Sequence, residues 1–219
     1  SKINGPWQVN KIEYWVDPYS EDVVDYNIKA AEEIQNTGVN EIQFDYIRLP
    51  SDFEAYRIVF RNKKQGWERV DILENFLYKA SRIISIPISV DIYGYNAIYR
   101  MGNVIGQDIE TISKYVDIVC PMVYPSHFGD PYLYDSVFSR KHPSQEYNIV
   151  YFSTMRAVSI ICQDTIIRPF LQAFRYRVKN YNKTYIFDQI YGAEEGGANG
   201  YSFWNPSSDY TELNNFLIH

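Results

Sequence analysis

Asp45 and Asp91 are the residues of this sequence whose type and surroundings best fit bond-breaking chemistry. Asp45 lies in the stretch EIQFDYIRLPSD, where apolar and polar residues alternate as they do along a β-strand, and Arg48 follows three positions later. Asp91 lies in the apolar stretch IPISVDIYG. Glycosidic bond cleavage requires two carboxyl groups, one to protonate the leaving oxygen and one to act as nucleophile or base. The two aspartates are therefore a candidate catalytic pair.

Each aspartate also has a simpler explanation, which the sequence leaves open. Asp45 could form an ion pair with Arg48 at the rim of a sheet, and Asp91 could accept a hydrogen bond from a loop amide. A general acid needs a raised pKa, and we expect the like charge of Asp45 to raise the pKa of Asp91. On the catalytic hypothesis, Asp45 is the residue on which the chemistry depends most.

The segments that carry these residues alternate between helical and strand patterns. Helical patterns cover residues 20–37, 69–84, 107–115, 145–162, 184–198 and 209–217, and strand patterns cover 42–47, 87–92, 117–123, 166–172 and 200–204. The stretch KIEYWVDP could hold the end of a sixth strand. Strands joined through helices form parallel sheets with right-handed crossovers. The sequence therefore predicts an α/β fold, in a single domain over residues 1–219.

Further polar and aromatic residues end or follow these strands, where the active sites of parallel α/β folds lie. We expect them to bind substrate: Arg48, Tyr93, Tyr124, His127, Gln172, Trp204 and Asn205. Trp204 fits the stacking floor of a sugar site or a cap on a barrel. His127 fits a hydrogen-bonding role, because no second His lies at metal-ligand spacing. Neither a phosphate loop nor a G-x-S-x-G elbow is present, and we expect no cofactor and no metal.

Composition and charge exclude several classes of protein. The 219 residues are 46% hydrophobic, and no window is long and apolar enough to cross a bilayer. A net charge of −6 argues against a nucleic-acid-binding groove. Cys120 and Cys162 fit buried free thiols better than a disulfide framework. The first residue is Ser, so a targeting segment removed from the N-terminus would not be visible.

Several stretches resemble one family, in the same order and over nearly the whole chain. They are EIQFDYIRLPSD, the segment from Ser89 to Tyr95, IGQDIETISKYVDIVCPMVYPSHF, IRPFLQAF and GYSFWNPSSDY. They resemble the glycoside hydrolase domain found in many uncharacterised bacterial envelope proteins, which is distantly similar to chitinase-type and amylase-type barrels. The resemblance implies a (β/α)8 TIM barrel and a secreted or envelope-associated protein. It also implies that Asp45 ends the fourth barrel strand, and that Asp91, Tyr124, Gln172 and Trp204 mark strands five to eight.

Two departures from the family pattern affect these expectations. The family usually carries an acid after Gln in the stretch that matches RPFLQAF, where this sequence has Ala173, so we expect weakened catalysis. Only strands four to eight and the tail of the third are found, so the barrel is expected to be incomplete at its N-terminal side. Either an N-terminal part is missing or a second chain covers the gap, because an open barrel exposes strand edges.

These observations favour a glycoside hydrolase that acts on an envelope or extracellular polysaccharide by carboxylate acid/base catalysis. The alternative is a non-catalytic barrel module that binds carbohydrate or protein. A third hypothesis, a doubly wound nucleotide-binding protein, requires a glycine-rich turn after an early strand, which the sequence lacks.

Overall fold

Strands and helices alternate along the chain, as the hydrophobic patterns predict. The computed structural model describes residues 7–9, 13–51, 55–99, 104–129, 143–161 and 164–218. Its strands are β1 (Trp7–Val9), β2 (Glu13–Trp15), β3 (Ile42–Phe44), β4 (Ile88–Tyr93), β5 (Ile118–Met122), β6 (Ile166–Ile167), β7 (Phe170–Gln172) and β8 (Ser202–Trp204). Its helices are α1 (Glu21–Gln35), α2 (Arg69–Ile83), α3 (Gly94–Tyr99), α4 (Ile109–Ile112), α5 (Gln145–Ile160), α6 (Lys183–Glu195) and α7 (Thr211–Ile218).

The central sheet is parallel throughout, which confirms the predicted arrangement. The strands follow the order β3-β4-β5-β7-β8, and β6 pairs with the start of β5. Among the described residues no further strand pairs with the outer side of β3 or of β8. The sheet is a curled half-barrel that is open between these two edges.

The outer face of the sheet packs against the helices. Val90, Ile92 and Val119 are fully buried in a cluster with apolar side chains of α1 and α2. Leu171 of β7 belongs to a second cluster, formed with α5 and α6. Because side chains alternate along a strand, residues such as Ser89 and Asp91 point to the inner face. The fold thus separates an apolar outer layer from a polar interior.

Three local predictions differ from the structure. The stretch 13–15 pairs antiparallel with Trp7–Val9 and not with β3, because it forms a separate hairpin before the turn at residues 18 and 19. The strand predicted over 166–172 is divided into β6 and β7, since Pro169 lacks the N–H that a continuous ladder needs. The helix predicted over 107–115 shortens to α4, where the Asp108 side chain accepts from the N–H of Thr111 and caps the first turn.

The two cysteines have different outcomes. Cys120 is a buried free thiol, as predicted, and burial raises its pKa to about 12. Cys162 lies outside the described residues. Within the described ranges, none of the helices has both the length and the apolar character needed to cross a membrane.

Candidate active site

A cavity of about 400 Å³ opens at the carboxyl ends of the parallel strands. It brings together seven of the nine residues selected from the sequence: Asp45, Arg48, Asp91, Tyr93, Tyr124, His127 and Trp204. Seven further residues line the same cavity: Tyr46, Gly94, Tyr95, Gln107, Met122, Phe128 and Phe170. The cavity therefore combines two carboxyl groups and a guanidinium with a largely aromatic wall.

Asp91 is the buried member of the carboxyl pair. It lies within β4 with 5% of its surface exposed. The amide of Gln43 donates to its Oδ1 at 2.5 Å. Burial raises the pKa of Asp91 to about 7, and the charge of Asp45 adds a smaller increase. The sequence argument thus gave the correct direction for this pKa but named a lesser cause.

Asp45 is exposed and lies just after β3. The β3–β4 register pairs Phe44 with Val90, so the next residues along the two strands are Asp45 and Asp91. Neighbouring parallel strands lie about 4.8 Å apart, which places both carboxyl groups at one end of the sheet. Both carboxyl groups therefore lie at the same end of the sheet and line the same cavity.

A strained turn follows Asp45. Tyr46 has a φ of 56°, which is uncommon for a residue with a side chain and is found mostly at turns and functional sites. Its N–H donates to Oδ1 of Asp45 at 2.7 Å, and its carbonyl accepts from the N–H of Arg48 at 2.8 Å. The turn fixes one oxygen of Asp45 and places the Tyr46 ring at the cavity.

Arg48 contacts aromatic rings rather than a carboxylate. Its guanidinium lies 5.0 Å from the ring centres of Trp15 and Tyr93 and 5.3 Å from that of Tyr46. In the described part of the chain, neither Asp45 nor another acid forms an ion pair with it. The ion-pair explanation of Asp45 therefore has no support among these contacts.

Aromatic rings form one wall of the cavity. Tyr124 stacks on Trp204, with ring centres 5.5 Å apart and planes at 22°. Phe174 packs edge-on against both of these rings. Tyr124 is buried and burial raises its pKa, whereas Trp204 is 40% exposed. Trp204 thus has a partly accessible ring that is held in place from behind, which suits stacking against the apolar face of a sugar.

His127 lies in the short 3₁₀ turn Pro125–His127 after β5. Its Nδ1 lies 3.2 Å from the hydroxyl of Ser126, and its ring packs against Tyr124, Phe174 and Tyr176. Burial, together with the charge of Arg177, lowers the pKa of His127. The lowered pKa favours the neutral imidazole, which can both donate and accept a hydrogen bond.

Gln172 does not line the cavity, contrary to the sequence prediction. Its side chain is fully buried, accepts from the N–H of Ser126 and donates to the carbonyls of Phe174 and Tyr176. These bonds order the loops that follow β5 and β7, so Gln172 acts behind the wall.

Asn205 and Ala173 also lie outside the cavity. Both line a neighbouring depression, and the Asn205 amide donates to the carbonyl of Ala173 at 2.6 Å. The side chain of Ala173 is buried in the apolar cluster of α5 and α6. Ala173 therefore lies outside the cavity that holds Asp45 and Asp91, and the expected weakening of catalysis by Ala173 stays a prediction.

Sequence reasoning missed three residues that shape the site. Gln107, which is buried, donates to the carbonyl of Asp91 and accepts from the N–H of Tyr93, and so replaces ladder bonds at the end of β4. Gly94 allows the carbonyl of Met122 to approach closely. Gln43 contacts Asp91 directly. The alternation of Gln43 with Asp45 along β3 was the available signal, because both then point to the inner face.

A polar layer lies beneath the carboxyl pair inside the half-barrel. The Arg168 guanidinium donates to both oxygens of Glu41, and Glu41 accepts from the Ser89 hydroxyl at 2.6 Å. The bonds from Arg168 are the main reason that the pKa of Glu41 is lowered. This layer ties β3 to the β6–β7 segment across the interior. Within the described residues, no three His, Cys, Asp or Glu side chains are grouped as a metal site.

A family model described as "Putative glycosyl hydrolase domain" matches residues 1–210. No curated protein matches the chain.

Several solved structures share this fold, and they include enzymes of more than one class, among them a phosphonopyruvate hydrolase. The chain is similar to the PgaB (BpsB) glycoside hydrolase domain from Bordetella bronchiseptica, with a TM-score of 0.57 and 15% identity over 93% of this chain and 64% of that chain. It is also similar to the spore cortex-lytic enzyme SleL from Bacillus megaterium QM B1551, with a TM-score of 0.60 and 13% identity over 95% of this chain and 57% of that chain. The chain therefore spans less than two thirds of the length of either neighbour. These matches confirm the predicted incomplete TIM barrel.

Proposed function

The chain belongs to the glycosyl hydrolase domain family whose model it matches, and we propose that it hydrolyses glycosidic bonds with Asp45 and Asp91 as its carboxyl pair. One observation carries the proposal: the two carboxyl groups share one cavity in contrasting environments, Asp91 buried and Asp45 exposed. Contrasting environments separate the roles of two carboxyl groups, since a general acid must hold a proton and its partner must carry charge.

Asp91 is the general acid in this proposal. A pKa of about 7 keeps a large fraction of its carboxyl protonated at neutral pH, so it can donate the proton to the leaving glycosidic oxygen. Asp45 supplies negative charge to the anomeric carbon as the bond breaks through an oxocarbenium-like transition state. Water then adds to that carbon and gives up a proton to the Asp91 carboxylate, which restores a protonated Asp91 beside an ionised Asp45.

The aromatic wall and the neighbouring polar groups bind the sugar. Trp204 stacks against a pyranose ring, and Arg48, Tyr93 and His127 offer hydrogen-bonding groups around it. We assign the substrate to bacterial envelope or extracellular polysaccharides. The neighbour SleL is described as spore cortex-lytic, which supports testing a polymer of the cell envelope.

The competing function is glycan binding without turnover. The exposed Trp204 ring and the open cavity favour it, because both would remain useful if the carboxyl pair were inactive. A binding module needs the aromatic wall but has no need of a buried carboxyl group with a raised pKa.

Release of new reducing ends from purified spore cortex and from other envelope polysaccharides separates the two functions. Hydrolysis predicts release by the wild type and a loss of about 10²-fold or more in Asp45→Asn and in Asp91→Asn. Asp22→Asn, at an exposed position in the first turn of α1, is the matched control and retains activity. Retention of the glycans without release, unchanged in both variants, would instead establish a binding module.

A further inference from the structure

Gln43 occupies a central position beside the carboxyl pair. It is the middle residue of β3, where it pairs with Ser89, and it lies two residues before Asp45 on the same face of the strand. Its Nε2 donates to Oδ1 of Asp91 at 2.5 Å. The residue that holds Asp91 therefore lies in β3, and Asp45 directly follows the end of the same strand.

The contact divides the two oxygens of Asp91. Oδ1 accepts the bond from Gln43, while Oδ2 has no hydrogen bond to a described residue. Asp91 lines the cavity, so the oxygen that is not held by Gln43 is the one available to a ligand. The main chain is fixed separately, because Gln107 donates to the carbonyl of Asp91 at 3.0 Å.

The surroundings of Gln43 argue against a packing role. Its side chain is exposed at the open edge of the described sheet, and its bond to Asp91 is the one side-chain hydrogen bond that it forms with a described residue. A residue that served only to fill the interior would be buried among apolar neighbours. A second polar contact lies nearby, in which the Ser89 hydroxyl donates to Glu41. It does not involve the Asp91 carboxyl group.

We propose that Gln43 is the positioning residue of the acid: it holds Oδ1 of Asp91 and thereby directs Oδ2, as the proton-donating oxygen, into the cavity. Its catalytic consequence rests on the proposed function, but its effect on Asp91 does not. Without Gln43 the carboxyl group can rotate about χ2, a torsion angle with a broad distribution. The acidic proton is then no longer held in a fixed orientation toward the cavity.

The same bond also contributes to the pKa of Asp91. Donation from an amide N–H stabilises the carboxylate form, so Gln43 lowers the pKa of Asp91 and opposes the larger increase caused by burial. Removal of the donor leaves only the charge of Arg168 to oppose the effect of burial on the Asp91 pKa. The pKa of Asp91 then rises by about one pH unit, as expected for one hydrogen bond to a charged group.

Titration of the Asp91 carboxyl carbon tests the proposal without any substrate. The carbon is labelled with ¹³C, assigned through Asp91→Asn, and followed by NMR in the wild type, Gln43→Met and Gln43→Glu. Gln43→Met keeps the length of the side chain and removes the donor, so the pKa rises. Gln43→Glu places a second carboxyl group at the same contact, and the last proton of the pair leaves at a still higher pH.

Gln35→Met is the matched control. Gln35 bonds to Ile83 and Ser85 between the outer helices, so its loss leaves the Asp91 titration unchanged. A folded Gln43→Met protein whose Asp91 titrates as in the wild type would overturn the proposal, and so would an equal shift in Gln35→Met.

A second measurement separates this proposal from the proposed function. On a hydrolysed glycan, the high-pH limb of kcat moves upward by about one pH unit in Gln43→Met, and kcat falls about tenfold through lost orientation. If the titration shifts but no envelope glycan is hydrolysed by the wild type, the proposed function fails while the positioning role stands. If kcat falls in Gln43→Met but neither the high-pH limb of kcat nor the pKa of Asp91 shifts, the positioning role fails.

Discussion

At the scale of single residues, the site depends on the contrast between two aspartates that look alike in the sequence. Asp91 lies inside the parallel sheet and burial brings its pKa to about 7, whereas Asp45 lies on an exposed turn. The strand patterns predicted that both would reach one rim. They could not predict which one would be buried, because that depends on how the neighbouring strands and rings cover each carboxyl group.

A buried carboxyl group with a raised pKa makes stability depend on pH. The folded state keeps the Asp91 proton up to a pH of about 7, while the unfolded state loses it near the ordinary value of 3.8. The folded state therefore binds more protons between these pH values, and stability falls as pH rises across that window. We expect Asp91→Asn to unfold with a free energy about 2–4 kcal/mol higher than the wild type at pH 8.

Urea denaturation at pH 8 and at pH 4 measures this effect. Near pH 4 the two proteins should have similar stability, because Asp91 is then neutral in the folded wild type. A wild type that is at least as stable as Asp91→Asn at pH 8 would contradict the assignment of a raised pKa to Asp91.

At the scale of the elements, the strand ends are held by side chains that the hydrophobic pattern does not distinguish. Gln107, Gln172 and Gln189 are fully buried and bond to the backbone at the ends of β4 and β7. The sequence alone does not distinguish a glutamine whose side chain hydrogen-bonds to the backbone at a strand end from a glutamine whose side chain faces a ligand. This is why Gln172 was assigned to the cavity, although it lies behind the wall.

Gly94 sets the close packing between the start of α3 and the end of β5. A Cβ at this position would lie 2.6 Å from the carbonyl oxygen of Met122 and 3.0 Å from the ring of Phe128. Since backbone cannot move as easily as a flexible side chain, we expect Gly94→Ala to lower the free energy of unfolding by about 1–3 kcal/mol. Both neighbours line the cavity, so the cavity should deform as well.

The free energies of unfolding of Gly94→Ala and of the control Gly66→Ala measure the cost of this clash. An added Cβ at Gly66 meets nothing within 4 Å, and its cost comes from a φ of 82° alone. The Asp91 titration should change in Gly94→Ala and stay constant in Gly66→Ala. Wild-type stability in Gly94→Ala would show that the close approach is not required.

At the scale of the whole molecule, the order of the strands in the sheet could be predicted from the sequence. The open side of the barrel could be predicted only in part. Alternating patterns gave the parallel strands, because each outer strand face must be covered by a helix, whereas the incomplete barrel was implied by the family resemblance. The hairpin of β1 and β2 was missed, since strand pairing is a non-local choice that a three-residue pattern cannot specify. The inner Glu41–Arg168 contact joins residues far apart in the chain and was equally invisible in the sequence.

The assigned roles of the two aspartates are tested most directly by the dependence of hydrolysis on the leaving group. Rates are compared for wild type, Asp45→Asn and Asp91→Asn on a natural glycosidic linkage and on an aryl glycoside of the same sugar with a good leaving group. A leaving group that needs no proton bypasses the general acid, so Asp91→Asn should lose about 10²–10⁴-fold on the natural linkage and far less on the aryl glycoside. Asp45→Asn should lose activity on both, because its charge acts at the anomeric carbon. Equal losses in Asp91→Asn on both substrates, or full activity in both variants, would contradict the assignment of the carboxyl pair.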